Sequence, residues 1–202
     1  MAGGAMNQIV RTLGALLLTV SAVGCSGSAT PTRAPLDGVR IGGPFRLIDQ
    51  NRTPRSDRDF AGRYRIMYFG YTFCPDVCPT DLQTIGAGLR LFEAEDAKRA
   101  AEVVPIFVTV DPKRDTPAVL KAYTAAFHPR MVGLTGSSEA IASASKAYGV
   151  TADIEKPNAE GAYLVAHSRF AILMDPAGKP VVLLPAEKTP RDVAADLDRW
   201  IK

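Results

Sequence analysis

Two apolar runs of strand length stand out along the chain, residues 65–71 (RIMYFGY) and residues 103–110 (VVPIFVTV), the second rich in β-branched side chains. Pro105 lacks a backbone donor and predicts an edge position or a bulge for the first part of the second run. Between them, residues 80–99 place Leu82, Ile85, Leu89 and Phe92 at spacings of three and four, which makes one apolar face of a helix. Two apolar strands joined by such a helix form a parallel βαβ unit.

The pattern continues on both sides of this unit. Residues 39–49 (VRIGGPFRLID), followed by Gln50, Asn51 and Arg52, predict a strand or hairpin with a turn, and the domain is expected to begin near Leu36. Thr116 before Pro117 is a helix start, because the hydroxyl caps an orphan N–H while the proline presets φ, and the helix is expected to reach Phe127. Residues 131–134 (MVGL) read as a short strand, and residues 138–148 (SEAIASASKAY) as a helix stopped by Gly149. Residues 170–174 (FAILM) and 181–184 (VVLL) flank a turn rich in Pro and Gly and predict a hairpin. Thr189 and Pro190 repeat the helix start, and a last helix closes the chain. The order is βαβ, a further helix, then ββα.

Composition adds little restriction: of 202 residues, 47% are hydrophobic and 22% charged, as in an ordinary packed domain. The net charge of +3 comes without a dense Lys/Arg run or an interleaved aromatic stripe, so no nucleic-acid partner is expected. The amino terminus is more informative. Arg11, an apolar stretch over residues 13–23 and then Ala22, Val23, Gly24 and Cys25 read as an export signal, with an apolar run about half of the roughly 20 residues that span a bilayer. Small residues directly before a cysteine resemble a bacterial lipobox, in which Cys25 is diacylated and becomes the first mature residue, although Ala22 stands where Leu is usual. Plain secretory cleavage and an uncleaved anchor are the alternatives. The division expected is a lipoprotein-type signal over residues 1–25, a tether of small residues and prolines over 26–36, and one domain over 37–202.

The chain has three cysteines. If Cys25 carries lipid, Cys74 and Cys78 are the thiols left in an exported protein. They lie in FGYTFCPDVCPT, between the first apolar strand and its helix, where unpaired N–H groups and the positive end of the helix dipole favour a thiolate. Pro75 and Pro79 put Cys78 at or beside the N-cap, and both sulfurs are expected to ionise near neutral pH. The C-x-x-x-C spacing is close to one helical turn, so the sulfurs can join as a disulfide or open around a metal. A third ligand is therefore sought among two histidines. His167, expected in a loop just before the FAILM run, is the stronger candidate; His128, just after a helix, reads as a cap or a solvated side chain. Two soft sulfurs and one imidazole suit Cu(I) and also bind Cu(II), whereas zinc asks for a fourth ligand.

The motifs CPDVCP, then DPKRDTP after the second strand, then VAHS before DPAG, resemble those of the SCO/SenC family of copper proteins that assist cytochrome c oxidase assembly. The resemblance spans residues 39–200. It implies an α/β thioredoxin-like fold, a central mixed sheet flanked by helices with an N-terminal strand or hairpin extension. It also implies one copper, as Cu(I) or Cu(II), held by Cys74, Cys78 and His167. The expected partners are cytochrome c oxidase subunit II, a thiol reductant or another copper chaperone, and a membrane reached through the lipid on Cys25. The family commonly has Asp before this histidine; here Ala166 takes that place, which puts metal affinity or partner choice in question.

DPKRDTP has two readings, a turn with a Thr-Pro cap or a direct role for Asp111 or Arg114 near the site, and Tyr71 and Phe73 read as packing residues that shield a metal from water. The functional expectation is a copper metallochaperone on the extracytoplasmic face of the cell membrane. A thiol:disulfide oxidoreductase using Cys74 and Cys78, and a domain with an inert disulfide, are the competing readings.

Overall fold

The structure is a computed structural model that describes residues 33–202. The expected signal, Cys25 and most of the tether lie outside the described residues. Strands β1 (Arg46–Asp49) and β2 (Pro54–Ser56) form the N-terminal hairpin, closed by Asp49, whose carboxylate accepts the Asn51 and Thr53 N–H groups at 2.8 and 2.9 Å. The central unit follows as β3 (Tyr64–Gly70), α1 (Val77–Glu95), a short α2 (Ala97–Ala101) and β4 (Val103–Thr109), with β3 and β4 parallel over their whole length. Then come α3 (Pro117–Ala125), β5 (Val132–Thr135) and α4 (Ser138–Ala147). The chain ends with β6 (Ala152–Ile154), β7 (Val165–His167), β8 (Ala171–Met174), β9 (Pro180–Leu184) and α5 (Pro190–Trp200).

Seven strands form one mixed sheet in the order β2-β1-β5-β4-β3-β8-β9, while β6 and β7 pair as a separate small hairpin. This is the thioredoxin-like α/β arrangement, carrying the expected hairpin extension. The period-two alternation of β3 sorts its side chains: Tyr68 reaches α1 through a hydrogen bond to Asp81, whereas Phe69 packs on Tyr148 beyond α4, ring centroids 5.4 Å apart. Helices α1 and α5 approach closely because Gly88 has no side chain; a Cβ there would meet Val193 at 2.7 Å. The helix starts follow the local chemistry, with Thr116 capping Val119 N and Thr189 forming a capping box with Asp192.

The edge position expected for the first part of the β4 run holds: Pro105 pairs with Ile66 of β3, and β5 joins β4 only from Ile106, so the missing donor falls where the strand has a single neighbour. Two expectations are corrected. His167 is not a loop residue but ends β7, a strand whose short mixed sequence hid it. His128 is neither a solvated side chain nor near the cysteines: it is 1% exposed, with Nε2 3.4 Å from Glu93 and Nδ1 accepting Arg130 N at 3.3 Å.

Candidate metal centre

The strand-to-helix passage from β3 to α1 carries the two cysteines. Asp76 is the N-cap of α1 without a side-chain cap bond, and Cys74 Sγ takes the place of that cap by accepting Cys78 N–H at 3.4 Å. Cys78 is thus the second helical residue, fully buried, and Cys74 is half-buried; neither forms a disulfide. Gly70 makes room for the inner sulfur, since a Cβ there would lie 2.9 Å from Cys78 Sγ.

The β6–β7 hairpin brings His167 over this pair. Its Nε2 is 3.2 Å from Cys78 Sγ, its Nδ1 is 2.9 Å from the Ser168 carbonyl, and the Tyr71 ring meets it edge-on at 5.8 Å. A carbonyl only accepts, so Nδ1 holds the ring proton and Nε2 presents its lone pair to the sulfur. The ligand atoms of Cys74, Cys78 and His167 all lie within 4.8 Å of one another. Two metal–sulfur bonds of about 2.3 Å span at most about 4.6 Å, so side-chain adjustments of a few tenths of an ångström close the three donors on one ion. Two soft sulfurs and an imidazole make the set suitable for copper.

Burial dominates the electrostatics of the inner thiol. Loss of hydration pushes Cys78 up to about 12; the Tyr71 backbone opposes the shift and the nearby Cys74 thiol adds to it. The expectation of two thiolates at neutral pH is therefore corrected for Cys78 in the metal-free protein, because desolvation at a fully buried sulfur outweighs the helix dipole.

DPKRDTP does more than cap α3. Asp115, fully buried, accepts Thr72 N at 3.0 Å, Thr72 Oγ1 at 2.6 Å and Thr109 Oγ1 at 2.6 Å, which ties the start of the cysteine loop to the end of β4. Burial pushes the Asp115 carboxyl up despite these three donors. Asp111 pairs with Arg114 and accepts the Tyr163 hydroxyl at 3.0 Å, and the Arg114 guanidinium stacks 3.7 Å from the Tyr163 ring and 4.8 Å from that of Phe73. Tyr71 is buried beside His167 as expected; Phe73 is 54% exposed and serves as a platform for Arg114 instead of packing inward. Ala166 is exposed and stands opposite Asp153 across the hairpin.

A family model described as SCO1/SenC matches residues 33–202. The chain belongs to the SCO1/SenC family. Among relatives, Protein SenC of Rhodobacter capsulatus is 44% identical over 138 residues, 68% of this chain and 60% of that protein. Among solved structures, Bradyrhizobium japonicum ScoI with copper bound is 41% identical, with a TM-score of 0.72 over 80% of this chain and 99% of that one. BsSco, described as a member of the Sco family of cytochrome c oxidase assembly proteins and as having a disulfide switch, is 26% identical, with a TM-score of 0.61 over 79% and 93% of the two chains.

Reasoning from sequence missed Asp81, Asp115 and Arg169. Asp81 receives the fork of Arg169, Nε to Oδ2 at 2.8 Å and Nη2 to Oδ1 at 2.6 Å, two residues beyond His167. One signal was available: Asp81 falls on the apolar face of α1 defined by Leu82 and Ile85, where a charge needs a partner.

Proposed function

We propose that the protein is a copper metallochaperone that serves assembly of the binuclear copper centre of cytochrome c oxidase, with subunit II as acceptor. Cys74, Cys78 and His167 are its copper ligands in this reading, and a lipid on Cys25 holds the domain at the outer face of the cell membrane. The observation that carries it is the convergence of two thiols and one imidazole within 4.8 Å, from chain positions that local structure alone would not bring together. Copper-bound ScoI and the oxidase-assembly role of the BsSco family support it. Among the described residues, no helix is long and apolar enough to cross a bilayer.

In this reading Cys74, half-buried, meets the incoming ion first, Cys78 accepts it deeper, and His167 closes the set from the hairpin. Copper is cargo, so the ligands must also let it go. A three-donor set with one half-buried sulfur leaves a partner thiolate a side from which to attack the ion.

The thiol:disulfide oxidoreductase reading is less favoured, because His167 stands against the cysteine pair as a third donor, which exchange between two thiols does not require. The test is competitive copper titration of the reduced full chain in detergent. The parent is expected to bind one Cu(I) or Cu(II) and His167→Ala to bind markedly more weakly; equal affinity in the two would remove the three-ligand reading. Absence of a thioether-linked diacylglyceryl group on Cys25 by mass spectrometry of the exported protein would remove the anchor.

A further inference from the structure

We propose that Asp81, Arg169 and Tyr68 form a positioning clamp that fixes His167 against Cys78, an inference that rests on reading Cys74, Cys78 and His167 as copper ligands. Asp81 lies on α1 one turn beyond Cys78, and its carboxylate is 1% exposed. It accepts both arms of the Arg169 fork, at 2.8 and 2.6 Å, and the buried Tyr68 hydroxyl at 2.9 Å. Three elements therefore meet on one carboxylate: β3 through Tyr68, α1 through Asp81, and the connection from β7 to β8 through Arg169.

That connection is short. Residues 168–170 alone separate His167, the last residue of β7, from the start of β8 at Ala171, so fixing Arg169 fixes the backbone that presents the imidazole. Ser168 holds the other flank, exchanging backbone bonds with Thr151 through its N–H and its hydroxyl, both at 3.0 Å. Its carbonyl accepts His167 Nδ1–H and so sets the ring orientation. Among the described residues, the imidazole itself makes polar contacts only to Cys78 Sγ and this carbonyl. Its distance to the sulfur is thus inherited from the clamp. A planar fork on a carboxylate fixes distance and angle together, which a lysine ammonium cannot do.

The experiment uses the reduced full chain with Arg169→Lys, Arg169→Gln, Tyr68→Phe and His167→Ala. Arg169→Lys keeps a positive charge near the buried carboxylate and loses the fork. It is expected to melt close to the parent while copper affinity falls roughly 10- to 100-fold, the usual effect of losing a group that orients a ligand. The sulfur-to-Cu(II) charge-transfer band should shift, and the His167 imidazole NMR signals of the metal-free protein should move or broaden. Tyr68→Phe, which keeps the fork, should give a smaller loss of the same sign and keeps the test open if Arg169→Gln fails to fold. Parent-like affinity, band and imidazole signals in Arg169→Lys would overturn the clamp, whatever its melting temperature. If His167→Ala also binds copper like the parent, the ligand reading has failed; if it alone loses affinity, only the clamp has.

Discussion

Cys78 and His167, 89 positions apart in the chain, bring Sγ and Nε2 to 3.2 Å. The Ser168 carbonyl, 2.9 Å from Nδ1, keeps the ring proton on the far nitrogen, so the hydrogen between sulfur and imidazole belongs to the thiol. In the proposed three-ligand site a copper ion would take the place of that hydrogen. A hydrogen bond thus already holds the two side chains at the separation that the proposed ligand set requires.

Copper affinity is expected to depend on pH. Burial pushes the Cys78 thiol up to about 12, so the metal-free protein carries this proton throughout the neutral range and releases it on loading. Affinity must then strengthen as pH rises, about tenfold per unit for each proton released. Copper titrations between about pH 6 and 8, and calorimetry in two buffers of different ionisation enthalpy, measure the slope and the proton count. An affinity independent of pH would mean that the sulfur is already ionised without metal.

What the sequence disclosed and what it hid divide along the range of the interactions. The β3–α1–β4 unit was readable because strand and helix periods are local, and Thr116 and Thr189 announced α3 and α5 because a cap bond spans three residues. Cys74, Cys78 and His167 were candidates on residue type, spacing and family resemblance. The hairpin that carries His167 was not readable, since β6 is exposed along its whole length and β7 has one buried residue, leaving no alternation to detect. Neither was the bond between Asp81 and Arg169, 88 positions apart, nor Asp115 on the Thr72 loop, 43 apart: buried polar pairs have no period, and only the finished fold brings them together.

Gly70 should not tolerate a methyl group. A Cβ there would stand 2.9 Å from Cys78 Sγ, 3.1 Å from the Tyr68 ring and 3.2 Å from that of Phe107, all fixed in the core. Gly70→Ala is expected to destabilise the domain by about 1–3 kcal/mol through overpacking and, by pushing the sulfur outward, to weaken copper binding. Urea unfolding and copper titration of the variant measure both; unchanged values would show that α1 shifts freely away from β3.

Stability should fall on mild acidification because of His128. Burial holds its imidazole below the usual range, with Glu93 opposing, so near and below about pH 6.5 the unfolded chain binds a proton that the folded chain resists. Stability from this group is complete above the unfolded value and is lost as pH falls through it toward the lower folded value. Unfolding of the parent and of His128→Gln, compared from about pH 8 down to 5.5, should show a steeper loss in the parent. Glu93, kept below its usual range by Arg130 and His128 despite burial, adds a further loss only at more acid pH. Parallel curves for the two proteins would rule out His128 as the source.

Arg114 should matter more to stability than a half-exposed surface cation does. It neutralises Asp111, whose side chain is 1% exposed, donates Nη1 to the Tyr163 carbonyl at 3.0 Å, and lies over the rings of Tyr163 and Phe73. Removing it leaves a buried carboxylate with the Tyr163 hydroxyl as its remaining side-chain donor, a loss of about 3–5 kcal/mol when one partner of a buried pair is deleted. Arg114→Met keeps the stem for packing but not the charge, so it should fall in that range, while Arg114→Met with Asp111→Asn should recover a large part of the loss. A double-mutant cycle by urea unfolding gives the coupling between the two residues directly. Losses that simply add would mean that Arg114 acts through its aromatic contacts, and a further change of Phe73→Ala would then be expected to account for the effect.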